Sequence, residues 1–432
     1  MRQSITASFA QYSAIWLWFL FVISRAIIFL FLAGHGTDLY VHADYIAQMN
    51  RGAVPFRDFF PEYPPLVFLF TSLPGLVDGS LRWYFPIFRI LCCAIDCGIW
   101  IYLLHINKTS KGNLILYILC STAIGHLFYD HVDLVLGAIL LVALAALLKG
   151  RNRLYQLALG MGIAFKLVPV VLVPATLALE RKKGLKSLMK CAGLVFLPTI
   201  VSFGAIAAMG GYHFQWLLEY HFNRGIQIES APASVEMVLM WFGVPGEVTD
   251  DFGSANLHTP YESVLIHGAT ALLGAVVVLS ALMAMVRRMS CESVAFLLCG
   301  VLLASLVFSK VLSPQYFIFM LPILVILPVA EDALETAAVR FLILIIFAVT
   351  GAVFPWNYDN LLQLKFWAHL YAVENILILR ADCLALLSLY CFLRAWGTSV
   401  ASTSAFVGRN GALHFSGRFR CESAPVRTRS VR

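Results

Sequence analysis

The sequence predicts an all-α polytopic membrane protein, and three observations lead to this fold class. Of its 432 residues, 60% are hydrophobic and only 13% are charged. The mean hydropathy is +0.82, and apolar runs recur from one end of the chain to the other. These runs are continuous rather than alternating, which favours helices over a barrel, because lipid accepts only spans whose backbone groups pair internally.

Two of the apolar segments need interpretation before crossings can be counted. Residues 66–77 are too short to span a bilayer, so a half-inserted helix is expected there. Residues 154–180 are too long for one span and contain Lys166 and Pro169, so two short spans are expected. The count is then about twelve transmembrane helices. The segments are 13–33 (an uncleaved first span), 66–77, 83–105, 112–128, 131–149, 154–180, 187–209, 261–286, 291–308, 313–330, 338–355 and 371–396.

Basic residues set the orientation of these spans. They concentrate in the short loops 106–111, 149–153 and 180–186, which places these loops and the N-terminus in the cytoplasm. A plasma (inner) membrane protein is predicted, with residues 34–82 as a first external catalytic loop and 210–260 as a long external loop.

The sequence divides into a transmembrane domain, residues 1–396, and a tail, residues 397–432. The tail is rich in Ser, Gly and Arg and is expected to be disordered, cytoplasmic and attracted to anionic lipid. The net charge of +7 is confined to short loops and this tail, so no nucleic-acid partner is expected. Within the membrane, Arg25 and Asp96 lie at similar depth, and a structural ion pair is expected because isolated charges are costly there.

Four carboxylates fall within 25 residues of the first external loop: Asp38, Asp44, Asp58 and Glu62. From residue 38 to 50, the spacing of the apolar residues predicts a short juxtamembrane helix, with Leu39, Ile46 and Met49 on one face.

The spacing leaves the roles of these carboxylates open. Asp38 stands at or next to the start of the predicted helix, where either it or Thr37 can serve as an N-cap; a catalytic role is the alternative. Asp58 and Glu62, with Arg57, form either a solvated turn that ties down the loop or a site for a polar acceptor.

The segment from residue 125 to 133 places His126, Asp130, His131 and Asp133 close together. Such residues permit a metal site, but the spacing favours a hydrogen-bonded cluster, and no metal is expected. Asp133 begins a span and can face the interior of the bundle.

Further polar residues occur where helices are predicted to break. Lys166 either extends to the membrane interface or binds a phosphate. The segment 216–234 adds His221, Arg224, Gln227 and Glu229, of which Arg224 suits bidentate phosphate binding.

Five motifs occur in order: TDLYVHADYIAQMNRGAVPFRDFFPEYPPL, HVDLVLGA, GIAFKLVPVVLVP, NRGIQIES and SPQYFIFMLP. With them, residues 13–330 resemble glycosyltransferase family 87, the mannosyltransferase-like membrane enzymes of the GT-C superfamily. The resemblance implies a GT-C-like fold and inverting transfer of a hexose, with mannose expected. The donor would be a polyprenyl-phosphate sugar and the acceptor a lipid-linked or glycan molecule, on the non-cytoplasmic face.

The resemblance also implies roles for individual residues. Asp38 would be the general base, with Asp44 in reserve. Lys166 and Arg224 would hold the donor phosphate, and Asp58 and Glu62 would lie near the acceptor. His131 stands where many relatives carry another residue, so no role is implied for it. No cofactor is expected.

Two other functions share the same external polar groups. A flippase for lipid-linked sugars would need internal repeats and a polar path through the bilayer, and neither is evident. An inactive assembly partner of the same fold is opposed only by the acidic first loop.

Overall fold

The computed structural model describes residues 2–32, 34, 38–105, 110–328, 332–363 and 373–397, and the predicted disordered tail lies almost entirely outside them. The N-terminal half contains α1 (Arg2–Ile27) with a π-helical extension (Ile28–Leu32), α2 (Asp38–Asn50), α3 (Val67–Thr71), α4 (Leu73–Val77), α5 (Tyr84–His105), α6 (Lys111–Ala123), α7 (Gly125–Phe128), α8 (Asp133–Leu148), α9 (Asn152–Phe165), a 3₁₀ turn (Val168–Leu172), α10 (Val173–Arg181) and α11 (Leu185–Ala208). The C-terminal half contains α12 (Gln215–Asn223), α13 (Ala231–Trp241), β1 (Glu247–Asp251), β2 (Ser254–His258), α14 (Glu262–Val286), α15 (Cys291–Val307), α16 (Tyr316–Ile326), α17 (Ala333–Val353), α18 (Tyr358–Leu362) and α19 (Val373–Gly397).

The predicted helical membrane protein is confirmed, and its core is built around α15 and α16. Both helices are apolar on all sides, and nearly all of their side chains are buried, as expected for helices at the centre of a bundle. Helix α15 packs on α19, and α16 packs on α8.

Six of the described helices are long and apolar enough to cross a membrane, and four apolar helical segments are shorter, so the count of about twelve crossings stays a prediction. The six are Ile15–Leu32, Tyr84–His105, Leu185–Ala208, Glu262–Val286, Ala333–Val353 and Val373–Gly397, and the shorter ones are Val67–Val77, Asp133–Leu148, Cys291–Val307 and Tyr316–Ile326.

The segment 154–180 divides at Lys166, as the sequence predicts, whereas 66–77, predicted as one half-inserted helix, forms two short helices. Helix α9 ends at Phe165, and Lys166 takes an extended conformation with φ −153° and ψ 132°. Residues 67–77 form α3 and α4, which would together reach only about 16 Å even if they were collinear. That length is about half the thickness of the hydrocarbon core.

The predicted helix of the first loop is also confirmed. Helix α2 begins at Asp38, with Leu39 and Ile46 buried, and Met49 packs against the core. Thr37, the other candidate cap, lies outside the described residues.

Arg25 and Asp96 form the predicted ion pair between α1 and α5. Arg25 Nε lies 2.7 Å from Asp96 Oδ2, and Nη2 lies 3.1 Å from Oδ1. The hydroxyls of Tyr117 and Tyr129 donate to the same carboxylate at 2.6 and 2.7 Å. Asp96 is therefore fully hydrogen-bonded, which makes its burial tolerable.

One element departs from the all-helical expectation. Strands β1 and β2 form an antiparallel hairpin inside the long loop 210–260. Its two turn residues, Phe252 and Gly253, both have positive φ, as a type I′ turn requires. Backbone bonds from Ile228 and to Ile226 fasten β2 to the chain after α12.

The contact between α9 and α11 depends on a glycine. A Cβ atom at Gly160 would lie 2.2 Å from the carbonyl oxygen of Val195. We expect Gly160→Ala to lower the free energy of unfolding by roughly 1–3 kcal/mol, because the two backbones must separate. Denaturant titration of the protein in detergent measures this loss.

Gly193→Ala on α11 is the matched control, because a Cβ atom there meets nothing within 4 Å. Alanine is the better helix former, so this variant should be unchanged or slightly more stable. Equal stability of the two variants would contradict the close-packing explanation.

Candidate active site

A cavity of about 510 Å³ opens between the loop that contains α2 and the hairpin, within the usual size range of ligand pockets. Asp38 and His131 line one part of it, and the hairpin lines another. The other lining residues are Leu127, Gln227, Glu229, Ser313, Pro314, Gln315, Phe354, Tyr358 and Leu362.

Asp38 is the carboxylate of the acidic first loop that reaches this cavity. Its Oδ2 accepts a hydrogen bond from the Tyr63 hydroxyl at 3.0 Å and lies 3.0 Å from His131 Nδ1. Its side chain is 21% exposed. Across the described chain no group hydrogen-bonds Oδ1, so one oxygen of the carboxylate is available.

The surroundings of Asp38 keep it ionised. Burial alone would raise the pKa of Asp38, but the charge and hydrogen bond of His131, with the charge of Lys166, outweigh this effect. The pKa of Asp38 therefore lies below its ordinary value, and the group is a carboxylate throughout the physiological range.

His131 was assigned no role from the sequence, and here it contacts the predicted base. Asp130 beside it accepts hydrogen bonds from the Gly34 backbone at 2.8 Å and from Arg89 at 2.5 Å. Asp130, His131 and Asp133 thus each bond to a residue outside this turn, and the predicted cluster among the turn residues stays a prediction. The carboxylate of Asp38 raises the pKa of His131 despite the opposing effect of burial.

The side chain of Lys166 is buried within the protein. Its Nζ lies 2.8 and 3.0 Å from the two carboxylate oxygens of Asp133, which faces the interior as expected. The ammonium also lies 4.5 Å from the ring centre of Tyr316 and 5.5 Å from that of Tyr63. Its charge is largely compensated by Asp133, which weakens it as a phosphate ligand.

Arg224 is better placed to bind an anion. It is 9% exposed, and its guanidinium lies 5.2 Å from the ring centre of Tyr220. In the described part of the chain it has no ion pair, and its Nε lacks a hydrogen-bond partner. Lys310 donates to the carbonyl oxygens of Phe222 and Arg224 at 2.8 and 2.5 Å and fixes the end of α12.

Glu62 interacts electrostatically with both Asp38 and Arg224. Burial and the charge of Asp38 raise its pKa, and Arg224 opposes this rise. Glu62 is not among the residues that line the cavity, but its Oε1 lies 3.9 Å from the position of a Cβ atom at Gly253, which does line it. The acceptor-binding alternative for Glu62 therefore stays a prediction.

Asp58 does not reach the cavity. It pairs with Arg57 at 2.8 Å and accepts a hydrogen bond from the Val54 backbone at 2.7 Å. The solvated-turn alternative therefore describes Asp58, because its carboxylate is occupied in holding the loop.

Asp44 and His221 also lie away from the cavity. Asp44 is exposed and accepts a hydrogen bond from Gln48 at 2.7 Å. It follows Asp38 by six residues, which is about 240° around the helix, so the two side chains diverge. His221 is exposed at the end of α12, beside the ring of Tyr220.

Gln227 and Glu229 line the cavity. Gln227 Oε1 accepts a hydrogen bond from Ser313 at 3.3 Å. Glu229 lies 4.0 Å from Arg380, and its carboxylate oxygens have no hydrogen-bond partner within the described residues. Burial raises the pKa of Glu229 to about 7.

Sequence reasoning missed Tyr63, His131 and the hairpin. The hairpin had a signal, a glycine-containing turn at residues 252–253 between two short segments containing β-branched or apolar residues. For Tyr63 and His131 only proximity in space reveals the contact with Asp38.

The relation of this chain to known proteins rests on a match to one family model. A search of curated proteins gives no match. The family model described as Glycosyltransferase family 87 matches residues 60–314, more than half of the chain. It covers the turn with His131, the ion pair of Lys166 and Asp133, the Arg224 segment and the hairpin. The chain belongs to glycosyltransferase family 87.

Proposed function

We propose that this membrane glycosyltransferase moves a hexose, with mannose the first candidate, from a polyprenyl-phosphate sugar to a lipid-linked or glycan acceptor. The reaction inverts the anomeric centre, and Asp38 is the general base. It takes place on the non-cytoplasmic side of the plasma membrane, without a cofactor or metal.

The observation that carries this proposal is the free Oδ1 of Asp38 in a cavity of ligand size. An acceptor hydroxyl must lose its proton as it attacks the sugar, and a fixed carboxylate can take that proton. The lowered pKa keeps Asp38 ionised at neutral pH, so that its carboxylate can accept a proton. A single such carboxylate suffices for inversion, because no covalent intermediate is formed.

The step proposed for this site is balanced in atoms and charge. The acceptor oxygen forms a bond to the anomeric carbon while the bond from that carbon to the phosphate oxygen breaks. The acceptor proton moves to Oδ1 of Asp38, and the electron pair of the broken bond leaves on polyprenyl phosphate.

Arg224 is the group we assign to the departing phosphate. Negative charge develops on the phosphate as the bond breaks, and a positioned guanidinium stabilises this charge bidentately. Lys166 contributes a positive field but remains paired with Asp133. The prenyl chain of the donor would stay in lipid while its phosphate reaches this end of the bundle.

The proposal is tested with radiolabelled polyprenyl-phosphate mannose in membranes that carry the full chain. We expect Arg224→Ala to lower the transfer efficiency for the donor by roughly 10–100-fold, the usual value of a charged hydrogen bond. Arg224→Lys should retain part of the activity, because it keeps the charge but loses the bidentate geometry.

The control is Arg51→Ala, which removes an exposed arginine of the first loop. It should leave transfer unchanged. Native donor kinetics in Arg224→Ala would overturn the role of Arg224. Absence of transfer by the native chain from any of a panel of prenyl-linked sugars would overturn the proposed function.

A further inference from the structure

We propose that His131 and Tyr63 are positioning residues for Asp38: together they fix its carboxylate so that Oδ1 alone receives the acceptor proton. This inference rests on the proposed function. It concerns two residues to which neither the sequence motifs nor the family resemblance gives a role.

The geometry of the two contacts carries the inference. The Tyr63 hydroxyl and His131 Nδ1 both lie 3.0 Å from the same oxygen, Oδ2. Two donors on one oxygen fix the plane of the carboxylate. The same arrangement occupies both lone pairs of one oxygen and leaves the other oxygen for substrate, whereas one donor on each oxygen would leave both oxygens partly occupied.

Both donors are themselves held in place. His131 is buried, and the turn that carries it is anchored through Asp130 to Arg89 and to the Gly34 backbone. Tyr63 is buried next to the His42 ring, at 5.2 Å between centres. Pro64, which follows it, favours an extended backbone at Tyr63. Neither side chain can follow Asp38 if that residue changes rotamer.

The charged residues around Asp38 and His131 determine how the pH–rate profile should change when one of them is replaced. His42 and Lys166 act on Asp38 along with His131, and Asp38 and Glu62 also interact electrostatically. Asp130 and Asp133 face His131. Removing His131 takes away the largest influence that lowers the pKa of Asp38 and leaves burial, which raises it.

The test compares His131→Phe, His131→Asn and Tyr63→Phe with the native chain, at saturating polyprenyl-phosphate mannose. We expect His131→Phe and Tyr63→Phe to lower the maximal rate by roughly 10–100-fold while the donor KM stays the same. Because Asp38 must be ionised to act, the acid limb of the pH–rate profile should move to higher pH in His131→Phe. His131→Asn restores an N–H donor near the Nδ1 position and should recover most of the rate.

Tyr84→Phe is the matched control, because it removes a buried hydroxyl that bonds to the Thr71 backbone, outside the cavity. It should behave as the native chain. Native rate and acid limb in both His131→Phe and Tyr63→Phe would overturn the inference. If His131→Phe does not fold, as judged by elution in detergent, the maximal rate of Tyr63→Phe decides: a native rate would overturn the inference.

Failure of this inference can be told from failure of the proposed function. If the native chain transfers mannose and Asp38→Asn does not, while the His131 and Tyr63 variants are native, only the positioning role is wrong. If Asp38→Asn also transfers at the native rate, the general base itself is wrong.

Discussion

Replacing Asp38 with asparagine is expected to reduce sugar transfer by roughly 10²–10⁴-fold, the usual contribution of a general base. Asparagine has nearly the same shape and can still accept the Tyr63 hydrogen bond, so the fold should be retained. Its amide cannot take up the acceptor proton. The measurement is transfer of radiolabel in membranes at matched protein level, with elution in detergent as the check on folding.

Asp44→Asn provides the matched control on the same helix. It makes the identical chemical change, but Asp44 is exposed and bonded to Gln48. We expect it to keep the native rate. Loss of transfer in Asp44→Asn together with an active Asp38→Asn would move the base to Asp44.

The largest expected effect on stability comes from Asp96→Asn. This change leaves the buried guanidinium of Arg25 without its carboxylate and weakens the bonds from Tyr117 and Tyr129. Breaking a buried ion pair by removing one partner costs about 3–5 kcal/mol. We expect a corresponding loss in the free energy of unfolding, measured by denaturant titration in detergent, or no folded protein.

Asp58→Asn is the comparison for this loss. It also removes a carboxylate from an arginine, but the pair of Asp58 with Arg57 is exposed, and such pairs contribute little. If the two variants lost the same stability, burial of the Arg25–Asp96 pair would not be what makes it important.

The sequence allowed the apolar helices and the break at Lys166 to be predicted, because these depend on local composition. Helix α2 followed from the spacing of Leu39, Ile46 and Met49. The break at Lys166 followed from a charge and a proline in an overlong apolar run. The ion pair of Arg25 with Asp96 followed from the cost of an isolated charge in lipid.

The arrangement of the candidate site could be predicted only in part. Asp38 and Asp44 share a helix, and Asp58 and Glu62 share a loop, so the direction of each side chain decides which reaches the cavity. His131 lies 93 residues from Asp38 along the chain, and no local pattern relates them. Lys166 was predicted to bind a phosphate because it is cationic, but its ion pair with Asp133 reduces the positive charge that is available to a ligand.

Helix α5 makes two arginine–aspartate contacts, and these limit whether the first loop could keep its geometry in another protein. Arg89 and Asp96 are seven residues apart, within about 20° of two full turns, so both face the same side of the helix. Asp96 bonds to α1, while Arg89 holds the turn that contains His131. A rotation of α5 would disturb both contacts at once. Grafting residues 38–66 onto another membrane scaffold would therefore not reproduce the Asp38 geometry unless α5 and its partners were moved with them.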